Sequence, residues 1–261
     1  MKRIRARWIW TAIISLVVSA SMAQTNTKKD SLSILRTFGV TTSITNNGIS
    51  FVPAFTLGKP AVIFDVVAGK RLTFEPQLRF AMTGKPWSFV FWWRYKLIQQ
   101  QRFNLSVGMH PSITFKNSDI VMNNVHSHLN IGRSYLAGEI SPSYKIKPNW
   151  TIGTYYMFSH GIDPGAFRTT HFLTLNSNIA NIPMGKQIRL RVAPQLYYLR
   201  LDQNEGYFLT SSFTVSKKGS SFAIQSLINE PLHSHIAGGT KFNWNLSLIY
   251  GSIHNYRMTL P

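Results

Sequence analysis

The chain has 261 residues, no cysteine, and 28 lysines and arginines against nine aspartates and glutamates, for a formal net charge of +19. The lack of cysteine excludes a cysteine-linked lipid anchor, a disulfide framework and thiolate catalysis or ligation. A mean hydropathy of −0.04 with 13% aromatic residues suits a chain that averages an apolar face with a polar one, as a membrane barrel does.

The N-terminus reads as an export signal spanning residues 1–23. Lys2, Arg3, Arg5 and Arg7 form a basic start, and Trp8 to Ala20 is an apolar run broken only by Thr11, Ser15 and Ser19. Ser21-Met22-Ala23 puts small residues where a peptidase needs them, with cleavage before Gln24. The run is shorter than the roughly 20 apolar residues that span a bilayer, which favours removal over a retained anchor. The remaining basic residues are scattered over strands and turns, with no basic helix and no nucleic-acid motif. Their predicted partners are lipopolysaccharide and anionic solutes, not nucleic acid.

Residues 24–48 are read as a periplasmic lead-in or partial plug, with an extra strand over Leu32–Thr45 as the alternative; Asn46-Asn47-Gly48 is a hairpin turn signal. Period-2 alternation then predicts strands near 49–57, 61–68, 72–80, 87–96, 102–115, 133–146, 149–159, 168–178, 187–200, 206–216, 220–228 and 241–251. The predicted fold is all-β: a single antiparallel transmembrane barrel over 49–251 of about twelve strands, with ten or 14 as alternatives, and a tail over 252–261. A soluble β-sandwich would also alternate, but it would have to bury the aromatic strips against a second sheet. The long polar connections 116–132, 160–167 and 229–240 fall at one end of such a barrel and short turns at the other, as outer-membrane barrels require. The stretch Asn178 to Lys186 is long for a short-turn position.

The fourth predicted strand places Trp87, Phe89, Phe91, Trp93 and Tyr95 on one face. Trp87 to Tyr95 spans ~26 Å at 3.3 Å per residue, or ~20 Å along the normal at a tilt near 40°. Phe242, Trp244, Leu246, Leu248 and Tyr250 repeat the pattern on the last strand. Trp87, Trp93, Tyr95, Trp244 and Tyr250 are therefore the predicted membrane-interface aromatics.

Three stretches carry a family resemblance: Gly58-Lys59-Pro60-Ala61, Phe74-Glu75-Pro76-Gln77-Leu78-Arg79-Phe80, and Gly84 through Leu97. They resemble a group of uncharacterised outer-membrane barrels from Bacteroidetes-type bacteria, over about Ile49 to Tyr250. The resemblance implies fold and outer-membrane location and brings no activity with it. Barrels of this kind end in an aromatic residue on the last strand, whereas this chain runs past Tyr250 to Pro261.

Candidate lumen charges follow from strand parity. A three-residue turn over Gly69–Arg71 sets Ala68 opposite Leu72 and Asp65 opposite Glu75. Arg79, Arg94, Glu139, Arg189 and Arg191 share the inward parity, so the set reads as a solute-contacting eyelet or as a salt-bridge network that shapes the barrel. His110 and Ser112 share a face of the fifth strand with Glu139 nearby, a hydrolase-like set that resembles lipid-modifying barrels using a His-x-Ser pair. His126 with His128, and His233 with His235, could each share a metal, but nearby carboxylates are few. No cofactor is predicted. The function reads as a small passive pore with a basic lumen and modest anion preference. A structural or adhesive barrel with an occluded lumen is the alternative, and a lipid hydrolase is less favoured. Membrane lipid, lipopolysaccharide, small solutes and the barrel assembly machinery are the implied partners.

Overall fold

The computed structural model describes residues 34–122 and 125–258; the signal reading of residues 1–23 lies outside them. Twelve strands form: β1 (Ile34–Thr45), β2 (Ala61–Gly69), β3 (Leu72–Ala81), β4 (Pro86–Gln99), β5 (Phe103–Met122), β6 (Val125–Lys147), β7 (Trp150–Gly161), β8 (Thr169–Pro183), β9 (Ile188–Leu201), β10 (Asn204–Lys217), β11 (Phe222–Ser234) and β12 (Asn243–Met258). Each pairs with its neighbour in the chain, and β12 lies beside β1 to close the barrel. Closure satisfies every strand edge, which a sheet in lipid requires.

Alternation sets the faces. On β4, Ser88, Val90 and Trp92 are buried toward the lumen while Trp93, Tyr95 and Leu97 stand exposed on the outside. The outward rings of Phe64, Phe80, Phe89 and Phe115 touch in sequence across β2 to β5, with centroids 5.3–6.2 Å apart. Trp244 and Tyr250 are likewise exposed on the outer face, whereas Trp87 is half-buried beside Gly48.

Connections at one end are the stretches 46–60, 82–85, 162–168, 202–203 and 235–242 together with the tip of the β5–β6 hairpin; at the other end no turn exceeds four residues. Long loops on the outside and short turns on the periplasmic side is the barrel rule, so the protein sits in the outer membrane with its short turns facing the periplasm.

Twelve strands are present, but the first is not the expected one. Residues 34–45 form β1, paired with β2 from Thr37↔Gly69 to Thr45↔Ala61, so they are not a lead-in. Residues 49–57 form no strand, only an isolated bridge between Ile49 and Thr56. The physical reason is the face each offers. Phe38 and Ile44 are exposed to the outside while Gly39, Thr41, Ser43 and Thr45 alternate inward, whereas Ile49, Val52 and Ala54 are all buried and leave no second face for lipid.

Other boundaries also shift. The predicted loop 116–132 is a continuation of the β5–β6 ladder as far as Met122↔Val125, because backbone pairing continues where side-chain polarity no longer alternates. His126 and His128 lie on that arm, and their side chains are outside the described residues. Ile179 to Pro183 extend β8 past a register shift, with Asn181 at φ 55°, and so shorten the long turn expected there. Residues 252–258 continue β12 and are not a tail.

Candidate functional site in the lumen

The β1–β2 connection folds into the barrel. Its chain is a small hairpin: Gly48 N donates to Lys59 O at 2.9 Å, Leu57 N to Gly48 O at 2.8 Å, and Ser50 N to Phe55 O at 2.9 Å. A Cβ on Gly48 would lie 3.0 Å from Ala61 Cβ and from the Trp87 ring, so glycine permits the tight inward turn. Val52, only 1% exposed, and Ala54 join a cluster with Trp92, Met157, Phe172, Leu199 and Phe208. Phe51 sets its ring edge-on to Trp92 at 5.5 Å. The Tyr197 hydroxyl donates to Asn229 Oδ1 at 2.8 Å, and its ring stacks on Phe208 at 4.7 Å. Every strand contributes a buried inward residue around this loop, from Thr45 on β1 and Ala61 on β2 to Asn229 on β11 and Asn245 on β12.

Below the loop lies a charge centre. Arg94 Nε donates to Glu139 Oε1 at 2.6 Å, and Arg94 Nη1 is paired with Glu75 Oε2. Glu139 also accepts from the Tyr155 hydroxyl at 2.6 Å, and Glu75 from Thr73 Oγ1 at 2.7 Å. The guanidinium lies over the Trp92 ring, 4.1 Å from its centroid. Reaching from β4 to Glu139 on β6 means crossing β5, and the residue crossed is Gly108, paired with both Arg94 and Glu139. A Cβ there would meet Glu139 Oε1 at 2.7 Å and Trp93 O at 2.9 Å. Two carboxylates thus share one guanidinium, with hydroxyls taking up the remaining acceptor capacity.

Asp65 and Glu75 do not face each other. Ala68 pairs with Phe74 and Asp65 with Gln77, two residues from the predicted register. Gly69 carries a φ of 137° and adds a pair, Gly69↔Thr73, beyond Ala68. A slip of two keeps every side chain on its face, so Asp65 remains inward. Arg79 is 4% exposed, donates Nη2 to Gln77 Oε1 at 3.0 Å, and feels Asp65 electrostatically without forming an ion pair with it.

Arg189 and Arg191 are not part of this centre. They sit at the periplasmic mouth, where Arg191 Nε donates to Asn178 Oδ1 at 2.5 Å and Arg189 Nη1 to Ile188 O at 2.9 Å. Lys96 and Lys145 share their inward parity at that mouth. No described carboxylate accompanies them.

The hydrolase arrangement is not assembled. His110 is buried against Trp92, with centroids 3.8 Å apart, and neither ring nitrogen has a hydrogen-bond partner, so it does not address Ser112. Glu139 is committed to Arg94 and Tyr155. His233 and His235 stand edge to face at 4.6 Å, and among the described residues no third His, Asp or Glu joins either of them in a metal-sized group.

A cavity of 240 Å³ is walled by Phe51 of the inserted loop together with barrel residues that include Trp92, Arg94, Tyr155, Asn176 and Gln195. Tyr155, Asn176 and Gln195 were missed in the sequence although strand parity places them inward. The seat of loop 46–60 had no comparable signal, since it depends on contacts with strands far along the chain.

No family model and no curated protein matches the chain. Among solved structures, an outer membrane channel from Pseudomonas putida F1 is 13% identical, with a TM-score of 0.48 over 88% of this chain and 100% of that one. The KdgM porin, solved in complex with disordered oligogalacturonate, is 9% identical at a TM-score of 0.48, over 82% and 98%. The beta domain of the Bordetella autotransporter Brka is 9% identical at 0.43, over 84% and 98%. At these values the likeness is one of barrel architecture.

Proposed function

We propose that the protein is a small-solute pore of the outer membrane, closed in this conformation by the inserted loop 46–60, with a periplasmic vestibule that favours anions. The observation that carries the reading is the seated loop beside a cavity with polar walls. Hydroxyl and amide residues such as Thr174, Asn176 and Gln195 line that cavity, polar walls for which a barrel with only a structural task has no need. Charge is separated along the axis. At the waist Asp65, Glu75 and Glu139 outnumber Arg79 and Arg94, while at the mouth Lys96, Lys145, Arg189 and Arg191 stand without a carboxylate. A low-dielectric wall strengthens the field of such a cationic ring on an entering anion.

Bilayer recordings test this. The full chain should conduct weakly or in bursts, and a variant with residues 49–56 replaced by a short Gly-Ser linker should conduct steadily with anion-directed reversal potentials in a salt gradient. The ring of buried inward residues supports a second reading, an occluded structural barrel. A silent full chain beside a conducting loop variant would favour that second reading, and a silent loop variant would refute the pore. At the outer end, Lys85 and Lys241 are exposed and available to lipopolysaccharide phosphates.

A further inference from the structure

The two ends of the barrel differ in charge. The five short turns, each taken with two flanking residues on either side, hold eight lysines and arginines, of which Arg189 faces the bore, and no aspartate or glutamate. The six connections at the opposite end, counted the same way, hold five cations and three carboxylates. The excess is spread around the circumference: Lys70, Arg102, Lys147, Lys186 and Lys218 place a cation in or beside every short turn. Just above them on the outer face stand exposed Tyr95, Tyr144, Phe222 and Tyr250, ring-bearing residues of the kind that settle at the headgroup level. Arg71 shows how the two layers meet. Its Nε and Nη2 donate to Lys96 O and Leu97 O, each at 3.0 Å, and its guanidinium lies over the Tyr95 ring at 5.1 Å.

We propose that this rim is a binding surface for anionic phospholipid headgroups of the periplasmic leaflet. A docked protein or a soluble anion would call for cations gathered on one sector or in the bore. Cations at every turn, with exposed rings above those next to β4, β6 and β11, match a leaflet that surrounds the barrel on all sides. Near an anionic surface each Lys or Arg contributes attraction on the order of 1 kcal/mol, and the phosphate is a fit acceptor for several lysines at once.

The test uses the full chain in phosphatidylcholine nanodiscs doped with spin-labelled phosphatidylglycerol or spin-labelled phosphatidylcholine, reading the immobilised fraction of each lipid at the barrel wall. The expected result is a phosphatidylglycerol preference of about fivefold that falls as salt is raised. The variant Lys147→Gln/Lys186→Gln/Lys217→Gln/Lys218→Gln should lose most of it. The variant Lys59→Gln/Lys85→Gln/Arg168→Gln/Lys241→Gln, altered at the other end, should keep it. If the first variant does not fold, the pairs Lys147→Gln/Lys186→Gln and Lys217→Gln/Lys218→Gln are measured separately and should each lose part of the preference. Equal affinity for the two lipids, no response to salt, or equal losses in both variants would overturn the proposal.

Discussion

Replacing Val52 by aspartate should open the lumen. Val52 is 1% exposed and sits in the apolar cluster at the tip of the inserted loop. Full burial of a valine side chain is worth about 1.5–3 kcal/mol, which the substitution forfeits. Seating an unpaired carboxylate at the same place costs several kcal/mol more after relaxation. Together the loss is at least about 4 kcal/mol, and at 1.4 kcal/mol per decade the ratio of seated to released loop falls about a thousandfold. The ladder that frames the loop, ending at Thr45↔Ala61, is untouched, so the barrel can stay closed while residues 46–60 leave the bore. Val52→Ala removes two methyl groups, about 0.8 kcal/mol each, and should shift the same ratio only about tenfold. Single-channel recording of the three proteins, with heat-modifiable gel mobility as the check on folding, should give rising open probability in the order wild type, Val52→Ala, Val52→Asp. A folded Val52→Asp barrel with wild-type conductance would refute the reading of the loop as the closure.

Glu139→Leu should destabilise the barrel to urea by about 3–5 kcal/mol, because it leaves Arg94 with one carboxylate and Tyr155 without an acceptor; the unfolding midpoint measures this. Gly108→Ala should cost about 1–3 kcal/mol in the same assay, since its Cβ would press on Glu139 and on the backbone of Trp93. Arg189→Glu/Arg191→Glu in the loop-replaced protein should move reversal potentials away from anions. The difference should shrink as the Debye length falls to about 3 Å at 1 M salt. Asp163 accepts from Ser134 N at 2.6 Å, and that bond holds its carboxyl below the ordinary value of 3.8. A depressed value means the tether is intact above the free-acid range and is lost as pH falls through the lowered value. Protection of the Ser134 amide, corrected for the pH dependence of free-amide exchange, should therefore fall under strongly acid conditions, and in Asp163→Ala at neutral pH.

The sequence by itself determined the class of fold and the side-chain faces along β2 to β12, while the strand total agreed only because counting 49–57 offset the omission of 34–45. Two-residue periodicity is local, and Phe89, Phe91 and Trp93 read outward wherever their neighbours lie. Even β1 was legible, in the outward series Phe38, Val40, Thr42 and Ile44, although the denser apolar run from Ile49 to Phe55 was the more strand-like of the two. Partnership was not legible. The same slip of two that moved Asp65 from Glu75 to Gln77 preserves all faces and leaves no mark in the pattern. Arg94 finds Glu139 only because the registers of the β4–β5 and β5–β6 pairs set both opposite the same glycine. Nothing local says whether Ile49, Val52 and Ala54 meet lipid or the bore. Tertiary structure decided that, because the bore walled by Trp92, Phe172, Leu199 and Phe208 exists only once strands distant in the chain have closed around it.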